Sequence, residues 1–373
     1  MNKTHTRPKL NRRDFLRLLA AAGVTTIGGY VLYTYAPWLE YDEQVNHTRR
    51  PFDGDVTTLA QMHELIRYAT LAANGHNTQP WKFAVKENAI EIHPDYTRHL
   101  PVVDPNDREL WISLGCALEN LLIAARADGY APEVIYPDGA DFIHIDLSTN
   151  TPQAGALFDA IPLRQNTRSE YDGQSIKRSE LDQMQTLPLE PSIALHFVTE
   201  PADAEIMLEY VNQGNLSQYA NNAFIDELIY WIRFNKKEVL ASLDGLYTGY
   251  SGNPEVPRWL GKLFVAGTKP QQQADADAKK LRSSSGVVVV ASESDDKAAW
   301  VRTGQVYERL ALQMTSLNIK SAFLNQPVEV ANIREQFQNA IGLGDMLPQL
   351  LVRFGYADPM PRSIRRPLEQ VLV

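Results

Sequence analysis

Apolar residues along the chain follow two spacings, and the alternation between them sketches a fold. In residues 58–73, Leu59, Met62, Leu65, Ile66, Ala69 and Ala73 recur three or four positions apart, which predicts an amphipathic helix ending at Asn74-Gly75. Residues 81–85 (WKFAV) and 89–93 (AIEIH) read as a strand pair turning at Lys86-Glu87-Asn88. Residues 104–129 open with acidic side chains, carry Leu110, Leu114, Ala117, Leu118, Leu121 and Leu122 on one face and stop at Gly129, the pattern of a long buried helix. Residues 142–147 (FIHIDL) alternate as a strand.

The second half repeats the mixture. Residues 204–219 and 223–243 predict helices, Val287–Ala291 a fully buried strand, 298–319 another long core helix, and 349–357 a strand that closes the sheet. Between them lies a Gly-, Pro- and Tyr-containing stretch, 244–260 (DGLYTGYSGNPEVPRWL), with two readings: a lid over a site, or an ordinary surface excursion. No repeat of fixed period is visible, yet the halves match in element order. The expected class is α+β.

Charge changes the picture at the N-terminus. Residues 1–36 hold six Lys or Arg and one acid, which leaves the remainder with 30 basic and 44 acidic residues. The stretch NRRDFLRLLAAAG sets a twin arginine before small apolar residues and resembles a twin-arginine export signal; Leu18–Leu39 is uncharged for 22 residues, about the ~20 a membrane span needs. Both a cleaved exported protein and an uncleaved anchor are consistent with it, because the one A-x-A-like site, TYA, is followed by Pro37. The expected location is the periplasm or the outer face of the cytoplasmic membrane, reached through the twin-arginine export machinery. That route carries folded cargo, which raises the expectation of a bound cofactor.

The divisions expected are 1–49 as signal, possible anchor and linker, 50–152 as one half, and 153–373 as the other, with the insertion 244–260. A net charge of −9 argues against a general nucleic-acid binder. One cysteine, Cys116, excludes an intrachain disulfide and a Cys-rich zinc site, and no histidine spacing suggests a metal.

Three clusters carry chemistry. Asn74, Gly75, His76, Asn77, Thr78 and Gln79 pack small hydrogen-bonding groups between a helix and a strand, where a plain turn would also use them. Arg164, Asn166 and Arg168 alternate, so an extended backbone points all three the same way, toward an anion such as phosphate or simply toward solvent. Arg362, Arg365 and Arg366 form a second basic focus near the C-terminus.

Taken in order, HNTQPWKF (76–83), DPNDRELWISLGCALEN (104–120), RQNTR (164–168) and RRPLEQVL (365–372) resemble the flavin-dependent nitroreductase family, and within it the duplicated single-chain Acg-type FMN-binding oxidoreductases. Each motif alone is weak; four in order cover most of residues 57–373. The resemblance implies two nitroreductase-like mixed helix and sheet halves fused as a monomeric pseudo-dimer. It implies FMN, with Arg164, Asn166, Arg168 and Arg366, joined by Arg365, on the phosphate. Asn74, Gly75 and Asn77 come from the partner half, and Asn325 and Gln326 form a turn whose backbone contacts the flavin near N5.

The family's Pro-Ser is here Ala73-Asn74, which alters the side chains at the ring. Since the first half has no R-x-N-x-R run and the second no HNTQPW, one FMN per chain is expected, with a degenerate second site. No catalytic side chain is implied, because flavin N5 carries the hydride, and His76 reads chiefly as a supporting loop residue. The implied partners are a small-molecule electron donor and a flat aromatic acceptor in a ping-pong cycle. An FMN-storing protein with a lidded flavin is the alternative, and a cofactor-free scaffold is a third reading.

Overall fold

The computed structural model describes residues 38–53, 58–136 and 140–373. The twin-arginine reading, and the uncharged run Leu18–Leu39 except its last two residues in the first helix, lie outside the described residues. In chain order the elements begin with helices α1 (Trp38–Thr48) and α2 (Thr58–Ala69). The first half continues with β1 (Trp81–Val85), β2 (Ala89–Pro94), α3 (Arg108–Ala127), β3 (Tyr130–Ile135) and β4 (Ile143–Thr149). Short helices α4 (Ala156–Ala160) and α5 (Arg178–Gln185) lead to β5 (Ile193–Val198), α6 (Pro201–Tyr219) and α7 (Asn222–Trp231). Then come β6 (Ile232–Arg233), α8 (Lys236–Ser242), β7 (Leu246–Tyr247), α9 (Arg258–Ala266) and α10 (Pro270–Arg282). The chain closes with β8 (Gly286–Ser292), α11 (Lys297–Ser316), β9 (Lys320–Phe323), α12 (Gln326–Glu329), α13 (Ala331–Ala340), β10 (Leu347–Gly355) and α14 (Leu368–Val371).

Two four-stranded antiparallel sheets result, ordered β1-β2-β4-β3 and β5-β8-β10-β9. The topology is the same in each: the long helix follows the second strand, and the fourth strand inserts between the second and third. What separates the halves is the connection between their first two strands, a tight turn at 86–88 in one and the whole segment 199–285 in the other. The α+β pseudo-dimer is therefore visible in the strand order.

The pseudo-symmetry axis passes between α3 and α11. Both helices have 20 residues, with Trp at the fourth position (Trp111, Trp300), Gly at the eighth (Gly115, Gly304), Glu at the twelfth (Glu119, Glu308) and Leu at the fourteenth (Leu121, Leu310). A Cβ on Gly115 would stand 2.0 Å from the Val301 carbonyl oxygen, and one on Gly304 would stand 2.0 Å from that of Ile112. The backbones thus touch at one reciprocal crossing, as in a two-fold interface between separate subunits. By length and apolar character α3 could cross a membrane, but here it lies buried between the two sheets.

The run Val287–Val290 is apolar at every position because both faces of β8 are covered. Val288 and Val290 join the central core with α3 and α11, while Val287 and Val289 pack in a second cluster with Met207, Leu208 and Leu281 of α6 and α10.

Two expectations change. Residues 223–243 are not one helix: α7 ends at Trp231, and Asn235 starts α8 by accepting from Glu238 N while its amide donates to Val256 O at 3.2 Å. Residues 38–49 are not a bare linker either. Tyr41 and Val45 of α1 are buried with Val239, Tyr247, Tyr250 and Ile364, and Arg49 donates to Ser363 O at 2.9 Å.

The crossing makes a prediction. Gly115→Ala and Gly304→Ala should each lower unfolding stability by about 3 kcal/mol, the upper part of the overpacking range, because the clashing atoms are backbone. Urea titration of each variant measures it. An unchanged midpoint would mean that the helices cross elsewhere.

Candidate functional site

The loop after α2 is held in an uncommon conformation. His76, Asn77 and Gln79 have φ of 48°, 54° and 54°, the left-handed region in which non-glycine residues are strained. Bonds from several directions hold it there. Asn74 Oδ1 accepts from Gln79 N at 2.9 Å, and Gly75 N donates to Ser113 Oγ at 3.3 Å. Asn77 Nδ2 donates to Gly245 O at 3.2 Å, Asn77 O accepts from Gly245 N at 3.1 Å, and Gln79 Nε2 donates to Leu243 O at 2.8 Å. Arg98 adds an ion pair with Asp244. The first half therefore grips residues 243–245 of the second.

Residues 164–168 run extended beside β9, with Asn166 bridged to Ser321 and Thr167 N donating to Ser321 O at 2.9 Å. Thr167 is buried, while Arg164, Asn166 and Arg168 line one small cavity of about 50 Å³ with Asn74, Asn77, Tyr250, Ser363 and Arg365. Gln165 lines the same cavity, so the alternation read from the sequence holds only in that Thr167 alone of the run does not. A second cavity of about 110 Å³ adds Gly75, His76, Glu109, Ser113, Asn325 and Glu329, and a third of about 400 Å³ adds Tyr247, Phe323, Gln326 and Asp277. Arg168 lines all three.

The arginines divide into different tasks. Arg365 spends its guanidinium inside the protein: Nε donates to Thr70 O at 2.6 Å, Nη1 to Asn77 Oδ1 at 2.8 Å and Nη2 to Ala72 O at 3.0 Å. It thereby caps the end of the segment after α2 and locks the strained loop. Arg164 donates to Leu71 O at 2.8 Å, and its Nε lies 2.8 Å from Glu308 Oε1 without a well-aligned hydrogen bond. Arg168, by contrast, makes no ion pair or side-chain hydrogen bond among the described residues. Burial lowers its pKa, and Arg353 nearby adds to that. Burial, with Arg49 and Arg164 beside it, lowers that of Arg365 well below the ordinary value. Positive charge is concentrated here with few anions to answer it.

The structure separates the two C-terminal arginines. Arg365 borders the small cavity, whereas Arg366 points into a different cleft with Arg50, His63 and Arg67, its Nη2 donating to Gln370 O at 2.6 Å. Arg366 is not brought to the site, because adjacent residues of an extended segment face opposite ways. Asn325 and Gln326 reach the cavities, but their side chains are committed: Asn325 bonds Glu109 and Leu351 N, and Gln326 bonds Asn215 and Asp277. Their contribution is the turn itself.

Several lining residues were not singled out in the sequence. Glu109 and Glu329 stand together at the cavity edge; burial, then mutual repulsion, pushes Glu109 well above the usual carboxylate range, and burial raises Glu329. No spacing links positions 109 and 329. Leu246, Tyr247, Thr248, Ser251 and Asn253 of the 244–260 stretch form a wall of the largest cavity, so it lies at the site. The pseudo-symmetric counterpart of Glu308 is Glu119, filled by Arg309 at 2.7 Å, which also reaches Glu190 at 2.8 Å.

No family model matches the chain. A protein provisionally named NAD(P)H nitroreductase Rv3131, from Mycobacterium tuberculosis, is 26% identical over 327 residues, covering 83% of this chain and 90% of that protein. A second from the same organism, acg, provisionally named in the same way, is 23% identical over 322 residues, covering 82% and 93%. Among solved structures, the FMN-dependent nitroreductase NfnB from Mycobacterium smegmatis, in complex with NADPH, is 14% identical, covers 58% of this chain and 96% of its own, and has a TM-score of 0.37.

His76 supplies a pH prediction. Burial, aided by the Arg168 charge, lowers its pKa from 6.5 to about 4, so the folded protein holds it neutral. The stability this contributes is complete above pH 6.5 and is lost as the pH falls toward 4, because the unfolded chain takes up the proton first. His76→Asn, which tolerates the positive φ, should flatten the fall in melting temperature between pH 6.5 and 4. An unaltered pH profile would contradict the assignment.

Proposed function

We propose that this chain is an FMN-dependent oxidoreductase of the nitroreductase type, exported by the twin-arginine route to the outer face of the cytoplasmic membrane. The observation that carries the reading is Arg168. Its guanidinium has no partner among the described residues and stands where the 74–77 loop of one half meets the 164–168 segment of the other. A phosphomonoester suits that place, since a guanidinium offers paired donors to phosphate oxygens and Arg164 with the amides of Asn74 and Asn166 lines the same cavity.

The adjoining cavity of about 400 Å³ is within the ordinary range for a cofactor pocket, and Phe323 and Tyr247 give it aromatic walls for a flat ring. Bound FMN supplies the hydride chemistry, which no side chain here provides. The residues around it position and shield: the strained loop and the Asn325-Gln326 turn present backbone groups, and Glu109 and Glu329, whose pKa values burial raises, border the cavity. The relatives' names favour a nicotinamide donor. A quinone or nitroaromatic fits the acceptor role, and one shared cavity suits a ping-pong cycle.

A second reading, FMN storage with little turnover, is favoured by one observation: residues 246–253 wall the cavity and are pinned through Tyr247 and Tyr250 to Tyr41 of α1. The two readings part on a reduction test. Rapid bleaching of bound flavin by NADH or NADPH, with reoxidation by a quinone, indicates turnover; bleaching that fails indicates storage.

Arg168→Ala should weaken FMN binding roughly 10- to 100-fold, as expected for losing a hydrogen bond to a charged group, with an unchanged melting temperature. Arg164→Ala should also lose about 3 kcal/mol of stability by stranding the buried Glu308 carboxylate. Fluorescence titration with FMN beside thermal melts separates these effects. Undiminished FMN affinity in Arg168→Ala would sink the phosphate assignment.

A further inference from the structure

Helix α9 is turned the wrong way round for a surface helix. Its inward side carries little apolar bulk beyond Val265: Gly261 lies so close to Phe234 that a Cβ would stand 2.1 Å from the ring, and Arg258 reaches in to Ile229 O, Ile232 O and Glu238 at 2.9–3.1 Å. Its outward side holds Trp259, Leu263 and Phe264, exposed by 66%, 63% and 61%. Scattered exposed apolar residues need no explanation, but three large ones on one face of a single helix do.

Charge says what this face meets. Residues 256–274 contain no Asp or Glu and three basic residues, Arg258, Lys262 and Lys269, in a chain whose net charge is −9. Lys262 and Lys269 are exposed, and Lys262 has no ion pair among the described residues. Trp, Leu and Phe flanked by lysines are the composition of a helix that lies in the headgroup layer of an anionic bilayer. Position agrees. The uncharged run Leu18–Leu39 leads into α1, α1 packs on Val239 of α8, and Glu238 of α8 holds Arg258 of α9. One short helix therefore links the end of the apolar run to the exposed face.

We propose that α9 is a membrane-docking face, with Trp259, Leu263 and Phe264 seated among lipid headgroups and Lys262 and Lys269 on lipid phosphates. The docked chain then rests on two attachments, residues 18–39 and α9. Val265 and Thr268, from the inner side of α9 and the turn after it, line the 400 Å³ cavity, so the same helix is both docking face and cavity wall. None of this depends on which cofactor the cavity takes.

The test uses the full-length protein in vesicles of phosphatidylethanolamine and phosphatidylglycerol. A nitroxide is attached at Leu263→Cys or, as a control, at exposed Gln336→Cys on α13, Cys116 being buried and unreactive. Docking predicts that the label at 263 collides several-fold more with oxygen and several-fold less with an aqueous nickel chelate than the label at 336. It also predicts that Lys262→Glu with Lys269→Glu, or removal of phosphatidylglycerol, diminishes the difference. Equal collision rates at both sites would overturn the proposal. So would dipolar broadening between labels, which means self-association, and so would protection from both reagents, which means that residues 18–37 cover the face. Insensitivity to the two lysines and to lipid charge would refute the anionic-lipid contact.

Discussion

The fold depends on the contact between Gly115 and Gly304. Two 20-residue helices can lie backbone to backbone only where neither carries a side chain, and each glycine fills the space against a carbonyl of the other helix. Close approach brings the two sheets onto one shared core and sets the halves at a fixed distance. Everything at the site is measured from that distance, because the 74–77 loop belongs to one half, while residues 164–168 and β9 belong to the segment and sheet of the other.

The same juxtaposition explains why the arginines differ. At a junction of halves, some cations are needed as fasteners. Arg365 binds backbone carbonyls at the end of the α2 segment, and Arg164 answers the buried Glu308 that descends from the duplicated helix. Arg168 is left over: its half-buried guanidinium lines all three cavities without a protein partner among the described residues, which leaves it free for a ligand. The left-handed backbone at His76, Asn77 and Gln79 is strain of the same origin, held by groups from both halves. The counterpart glutamate, Glu119 of α3, is answered by Arg309, which reaches across from α11 of the other half.

Much of this was legible beforehand. The periodic stretches gave α2, α3, α6, α11 and the buried β8, while Arg164, Asn166 and Arg168 do border one cavity but share it with Gln165, which a strict two-residue alternation would turn away. The matched Trp, Gly, Glu and Leu of α3 and α11 were legible too but went unread, since four identities scattered over 20 positions do not look like a repeat until the crossing shows why the glycines recur. The break between α7 and α8 was hidden because Ile232 and Phe234 continue an apolar pattern, and only Asn235, bonded to the distant Val256, ends it. The packing of α1 was hidden by the charge signal of the segment before it.

What the sequence determined alone was local: where helices and strands run, and that basic residues cluster in an acidic chain. Periodicity and charge depend only on neighbours in the chain. Tertiary structure decided which of the clustered arginines are spent and which is unpartnered, that Arg365 rather than Arg366 borders the cavity, and that carboxylates at 109 and 329 meet. Those facts rest on distances between residues far apart in sequence, and these are set by the packing of α3 on α11.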